Sequence, residues 1–368
     1  MHPPDRLQAP EPQRSVQSRR RHRASWGRTP VWAVLIASVL LTACGGDPAQ
    51  DRFDNYRERL ARSLKESDVA VQPVDAARRP ERRALRVARA DQRIGLLDFL
   101  KLHECAVWQV VGERNSALGK VAPASQRVFG DLDFLQLAPD CITSLEAKGE
   151  TRLAETLDEA LTLKRAELPI ALWQATFASE EFERLWHVPE RLGDYDPGAD
   201  LPLETALDTL EHWITRWLAG DYRYDATAFE GALGVIRNGN AGYWLRAAAI
   251  TEAQLAAASA VAANRTARRP LCFNQQANQQ GRILLNVVQQ FFVGDVQVWA
   301  AEVNRVLYRV MAPHGRLEAA LSAVQPAAYR DWVAARDAQL AMIKSGSIEH
   351  VAAVEPLLRS CSLLPARE

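Results

Sequence analysis

The sequence predicts an all-α protein, a multi-helix globular domain closed by two disulfides. Three observations carry this. Apolar residues recur at helical spacing along nearly the whole chain, strand-like alternation is almost absent, and four cysteines lie beyond the N-terminal region in a chain that carries an export signal. The 368 residues are 48% hydrophobic, with 45 Lys and Arg against 45 Asp and Glu. That composition excludes wholesale disorder and a disulfide-dense miniprotein.

The first 43 residues differ from the rest. Arg14, Arg19, Arg20, Arg21, Arg23 and Arg28 form a positive region, and an apolar stretch runs from Val31 to Ala43. A permanent span needs about 20 apolar residues, so this stretch has the length of a signal-peptide core instead. It ends in Leu41-Thr42-Ala43-Cys44-Gly45-Gly46. Small residues ahead of a cysteine, directly after the apolar run, resemble the bacterial lipoprotein signal. That resemblance implies that residues 1–43 are removed and that Cys44 is acylated, palmitate included, as the new N-terminus. Several chains are needed because one binds a membrane only marginally. Gly45 stands where Asp would imply inner-membrane retention, so the expected location is the outer membrane, facing the periplasm. The first 43 residues also hold seven arginines and only Asp5 and Glu11, so the remainder has a net charge near −5. That balance argues against nucleic acid as a partner.

After a lipidated tether at 44–50, residues 51–368 read as a helical periplasmic domain. Phe53, Tyr56, Leu60 and Leu64 predict a helix over 51–66. A polar connection spans 72–80. Ile94, Leu97, Leu100, Val107 and Val111 predict a helix over 92–114, and further helices fit 125–138, 141–167 and 169–187, with Pro169 at the start of the last. Residues 189–202 hold three Pro and two Gly and predict a loop. The body is then one large domain or two helical lobes joined near 188–202. Leu207, Leu210, Trp213, Ile214 and Trp217 place a helix over 203–219, and another covers 225–237. Ala247 to Ala249 and Ala256 to Ala258 favour a closely packed helix over 240–264. Periodicity then predicts helices over 275–311, 317–324, 326–344 and 347–360.

Cys105, Cys141, Cys272 and Cys361 allow three disulfide connectivities, and sequence proximity favours Cys105–Cys141 and Cys272–Cys361. No metal-ligand spacing occurs among them. The stretch from Gly112 to Val121 ends in Leu118-Gly119-Lys120-Val121 and looks like a phosphate loop, but Arg114 replaces a required glycine and Val121 a required hydroxyl. It reads as a helix end in which Glu113 and Arg114 pair.

That segment belongs to a wider pattern. Ile94-Gly95-Leu96-Leu97-Asp98-Phe99-Leu100, Cys105, Glu113-Arg114-Asn115-Ser116, Leu118-Gly119-Lys120-Val121, Ser125-Gln126-Arg127 and Ala138-Pro139-Asp140-Cys141 resemble a family of proteobacterial lipoproteins, catalogued as domain of unknown function 3080. The resemblance covers most of the chain after the signal and implies a membrane-attached envelope protein. It brings no catalytic residues.

Two further features are candidate sites. Arginines at 78, 79, 82, 83, 86, 89 and 93 make a basic stretch, within which Arg82, Arg83, Arg86 and Arg89 are expected to face anionic headgroups. Gln275, Gln279, Asn286 and Gln290, with Trp299, suggest an amide and aromatic face for a glycan, lipid or peptide. Catalytic signatures such as Gly-x-Ser-x-Gly and His-Glu-x-x-His are missing, and nothing calls for a cofactor or a metal. The expected role is therefore a non-enzymatic interaction or scaffold protein of the envelope, with a protein or glycan partner. A ligand-binding accessory protein is the alternative, and an envelope hydrolase built on paired carboxylates comes third.

Overall fold

A computed structural model describes residues 47–90 and 96–364 of the chain, with only the backbone described over 96–98. The signal segment, Cys44 and Arg93 lie outside the described residues. Within them, every regular element is helical.

The first helix, α1 (Pro48–Leu64), starts where Asp47 accepts from the backbone N–H of Ala49 at 3.2 Å and Pro48 takes the first turn. Lys65 closes it in a left-handed conformation. An extended segment follows, broken by one 3₁₀ turn at Arg82–Leu85. The helix expected over 92–114 divides instead into α2 (Leu96–Lys101) and α3 (Val107–Asn115), separated by a 3₁₀ turn at Leu102–Glu104. Cys105 leaves the helical conformation between them to reach Cys141. A short helix, α4 (Ala117–Val121), completes this corner.

Two long helices, α5 (Ala124–Ala147) and α6 (Thr151–Ala175), pack along each other, and the breaks between them differ from expectation. Pro139 and Pro169 lie inside these helices rather than at their ends. A proline removes one hydrogen bond and costs about 3 kcal/mol in an isolated helix. Here burial of Leu135 and Ala138 in one helix, and of Leu168, Ala171, Leu172 and Trp173 in the other, offsets that cost. The real break is the turn at Lys148–Glu150, where Gly149 has a φ of 77°.

After α7 (Glu180–Leu185) and the expected loop come α8 (Pro202–Leu218), α9 (Ala226–Asn238) and α10 (Ala241–Arg268). The alanine-rich α10 buries Ala247, Ala248, Ala257 and Ala258 and is the central helix. It packs against α1 and against α13 (Ala327–Arg359), which joins the two helices expected at 326–344 and 347–360. Between them, α11 (Gln279–Val287) continues through a π-helical stretch (Val288–Val296) into α12 (Gln297–Ala320), which absorbs the start of the helix expected at 317–324. This continuous segment is long and apolar enough to cross a membrane by length and composition alone. It lies on the body: Phe292, Val296, Trp299 and Val303 are buried, and Arg52 pairs with Asp295 at 3.1 Å.

The core runs without interruption past the 189–202 loop. Phe129 of α5 stacks on Tyr224 at 4.8 Å and meets Phe229 of α9, while Trp173 of α6 meets Tyr329 of α13 edge-on at 4.8 Å. The disulfides join Cys105 to Cys141 and Cys272 to Cys361, as proximity favoured.

Candidate functional site: a cationic pocket at the α3–α6 corner

The corner formed by α3, α4, α5 and α6 encloses a pocket of about 810 Å³, closed on one side by the extended chain at Arg89 and Ala90. Its charges come from Arg89 on that extended chain and from four helices. Arg127 and Asp131 are one helical turn apart on α5, Lys164 and Glu167 are likewise adjacent on α6, Arg114 ends α3, and Lys120 sits on α4. The floor is apolar, made by Val111, Phe134 and Ala160.

Asp131 organises one side. Its carboxylate is 3% exposed and accepts from Lys164 Nζ at 2.6 Å and from Arg89 Nη2 at 2.9 Å. Arg89 Nε also faces Glu167 Oε2 at 3.3 Å, and the Ala90 backbone N–H donates to the same carboxylate at 2.5 Å. Burial pushes the Asp131 pKa up, but Lys164 and Arg89 outweigh it and hold the group below the ordinary carboxylate range. Two cations and two carboxylates therefore cancel, and the position of each is fixed.

Arg114, Lys120 and Arg127 are left. Among the described residues, none of the three forms an ion pair with a carboxylate. Burial lowers the pKa of the half-buried Arg127 guanidinium, and the neighbouring Arg114 and Arg89 lower it further. Arg114 and Lys120 are exposed at the pocket's rim, so the pocket presents more cations than carboxylates.

Local sequence explains how α4 closes this corner. Ser116 Oγ accepts from the Gly119 N–H at 3.0 Å and donates to the Glu113 carbonyl at 2.7 Å. A Cβ at residue 119 would lie 2.1 Å from the Glu113 carbonyl oxygen, so only glycine lets the chain fold back this tightly. That turn carries Lys120 to the rim. The Glu113–Arg114 pair expected from the sequence does not form. Glu113 accepts from Gln109 at 3.1 Å, and Arg114 turns to the pocket.

The four arginines of the basic stretch have different surroundings. Arg82 pairs with Glu183 at 3.0 Å and Arg83 with Glu81 at 2.8 Å, Arg86 is exposed, and Arg89 points inward to Asp131. The segment is strapped to α6, because the Leu85 carbonyl accepts from Trp173 Nε1 at 2.7 Å and the Val87 carbonyl from Gln174 at 2.6 Å. Such a strap alternates its side chains between solvent and protein, which divides the arginines.

The amide and aromatic face is also only partly assembled. Gln279, Asn286 and Gln290 are exposed, and Gln275 is exposed in a separate turn with a φ of 56°. Trp299 is buried edge-on against Phe53 at 5.6 Å, with the Arg52 guanidinium 5.7 Å from its ring. It belongs to the core side of its helix, and the intervening π-helical stretch changes the angular register on which the grouping depended.

Six pocket residues were not expected as site residues from the sequence: Arg114, Lys120, Arg127, Asp131, Lys164 and Glu167. The available signal was Asp131 itself, flanked by Val128, Phe129, Leu132, Phe134 and Leu135, a position where a carboxylate must find cations.

Among curated proteins and among solved structures, none matches the chain. Residues 53–365, which include every part of the pocket and both disulfides, match the family described as "Protein of unknown function (DUF3080)", and the chain belongs to that family.

Proposed function

We propose that this chain is a lipid-anchored envelope protein whose helical body binds an anionic ligand in the α3–α6 pocket. The carrying observation is the set of Arg114, Lys120 and Arg127 around one cavity with no carboxylate paired to them among the described residues. This favours the ligand-binding reading over a purely scaffolding one, and binding over hydrolysis, because the pocket's two carboxylates are both engaged by cations. In this reading Cys44 is acylated, the signal is removed, and the body faces the periplasm from the outer membrane. The support for that part is the arginine-rich region, the apolar stretch and the small residues ahead of Cys44.

Two experiments test the two halves. Cells fed labelled palmitate should label the wild-type protein, and Cys44→Ala should abolish the label. Unchanged labelling would remove the anchor. For the pocket, the exported Cys44→Ala chain is titrated calorimetrically at low ionic strength with phosphate, sulfate, glucuronate and neutral glucose. Anions should bind and glucose should not. Arg114→Gln with Arg127→Gln should weaken anion binding at least about tenfold, and added salt should weaken it in the wild type. Anion binding unaffected by the double substitution would place the site elsewhere.

A further inference from the structure

The charge balance of the pocket bears on how many anionic groups its ligand carries. Arg89, Arg114, Lys120, Arg127 and Lys164 line it against Asp131 and Glu167, five cations to two carboxylates, which leaves three positive charges. A phosphomonoester carries about −1.5 to −2 at neutral pH, so one such group leaves at least about one cation over. Two on the same ligand carry about −3 to −4 and match the lining.

The three cations left over also come from separate elements. Arg114 ends α3, Lys120 lies on α4, and Arg127 sits near the start of α5. Arg127 is the half-buried member, and Arg114, Arg89 and Arg86 are all close enough to lower its pKa. The carboxylate that acts on Arg127 is Asp131, which Lys164 and Arg89 already engage. Hydrogen-bond donors therefore outnumber acceptors on this side of the pocket, and a ligand that suits it is rich in acceptor oxygens.

The body between the phosphates meets a polar surface. A cavity of about 810 Å³ is far larger than one phosphate group and falls within the range that encloses drug-sized molecules. Charged and polar side chains outnumber apolar ones in its lining, with Asn115 adding an amide. The apolar floor lies almost wholly beneath them: Phe134 is 2% exposed and Val111 9%. Hydroxyl groups fit such a lining, because they accept from the cations and donate to the remaining lone pairs of Asp131 and Glu167.

We infer that the pocket takes a hydrophilic ligand with two phosphate groups on a hydroxylated body, a sugar bisphosphate in chemical class. Arg114, Lys120 and Arg127 share the two phosphates, and the Asp131 and Glu167 side, already neutral, receives the hydroxylated body. This inference rests on the anionic-ligand reading above and adds to it the number of anionic groups and the character of what joins them.

The test titrates the exported Cys44→Ala chain calorimetrically, at equal ionic strength, with fructose, inorganic phosphate, fructose 6-phosphate and fructose 1,6-bisphosphate. The bisphosphate should bind at least about tenfold more tightly than the monophosphate, as added charge-assisted hydrogen bonds predict. The monophosphate should bind about threefold more tightly than inorganic phosphate through its hydroxyls. Fructose should not bind. Arg114→Gln with Lys120→Gln, at two exposed positions, should bring the bisphosphate to within about threefold of the wild-type affinity for the monophosphate. Equal affinity for the two sugar phosphates overturns the second phosphate while leaving the anionic site standing. A monophosphate no tighter than inorganic phosphate overturns the hydroxylated body. A bisphosphate preference that survives the double substitution overturns its assignment to this pocket. Failure of every phosphate to bind overturns both this inference and the anionic-ligand reading. Thermal unfolding of the variant confirms that the fold is retained.

Discussion

Asp131 is enclosed by Lys164 and Arg89 with almost none of its carboxylate in water. Removing one partner of such a group leaves the other charges uncompensated, so Asp131→Asn should destabilise the protein by about 3 kcal/mol in chemical denaturation. The sign of its pH dependence follows from the depressed pKa. The contribution is complete above the ordinary carboxylate range and is lost as pH falls through the lower folded value, so the variant and the wild type should converge in acid. His350 is the other informative side chain. It is fully buried, with Tyr56 Oη 2.6 Å from Nε2 and Ser259 Oγ 2.9 Å from Nδ1, and burial pushes its pKa down to about 4. The unfolded chain takes up a proton near the ordinary histidine value while the native one does not, so stability is full above that value and falls between it and about pH 4. Denaturant midpoints should show a loss of about 2 kcal/mol from neutral pH to pH 5. His350→Gln should flatten that slope, and an unchanged slope would assign it to other groups. Neither role was legible in the sequence. A histidine isolated on a helical pattern reads the same whether it is bonded in a core or exposed, and Arg89 reads as one more arginine in a basic run.

At the scale of elements, period-3.6 patterning identified most helices, because the core-facing residues repeat along each of them. What it did not show was where helices stop. Pro139 and Pro169 act as punctuation only when nothing else holds the chain, and burial of Leu168, Leu172 and Trp173 holds it through Pro169. Conversely the expected 92–114 helix breaks at Cys105, where the link to Cys141 on α5 outweighs local propensity. The disulfide pairing itself was legible, since each cysteine lies nearest in sequence to its partner. The two bridges close loops of 36 and 89 residues. In the chain-entropy account, removing Cys105–Cys141 by double alanine substitution should cost about 4 kcal/mol and removing Cys272–Cys361 about 4.5 kcal/mol. The second bridge is also the more tightly packed. A Cβ at Gly281 would lie 2.7 Å from Cys361 Sγ, so Gly281→Ala should disturb the same end of α11. Denaturation of the two bridge variants gives the comparison directly. Equal stability of wild type and the Cys272 and Cys361 double variant would contradict it.

Across the whole molecule, the chain after the signal is net acidic by about five charges, yet it concentrates positive charge in one corner. No sequence window contains that corner. Its residues come from positions 89 to 167, and each is an ordinary charged residue of a helix or a connection until the fold brings them together. For the same reason the sequence pointed to the amide-rich stretch instead, where polar residues are adjacent in the chain but Trp299 faces the core. The likeness of Gly112 to Val121 to a phosphate loop was set aside because its residues do not fit that motif. The structure places Arg114, Gly119 and Lys120 at the pocket all the same, through a different turn.

The central claim is that Arg114, Lys120 and Arg127 hold an anionic ligand. Its most direct test is native mass spectrometry of the full-length protein, extracted from membranes in a mild neutral detergent, with the Arg114→Gln, Arg127→Gln variant beside it. The account predicts a bound non-protein mass on the wild type that the variant lacks. Identical ligand-free masses for both proteins, with the acylated N-terminus intact, would contradict it.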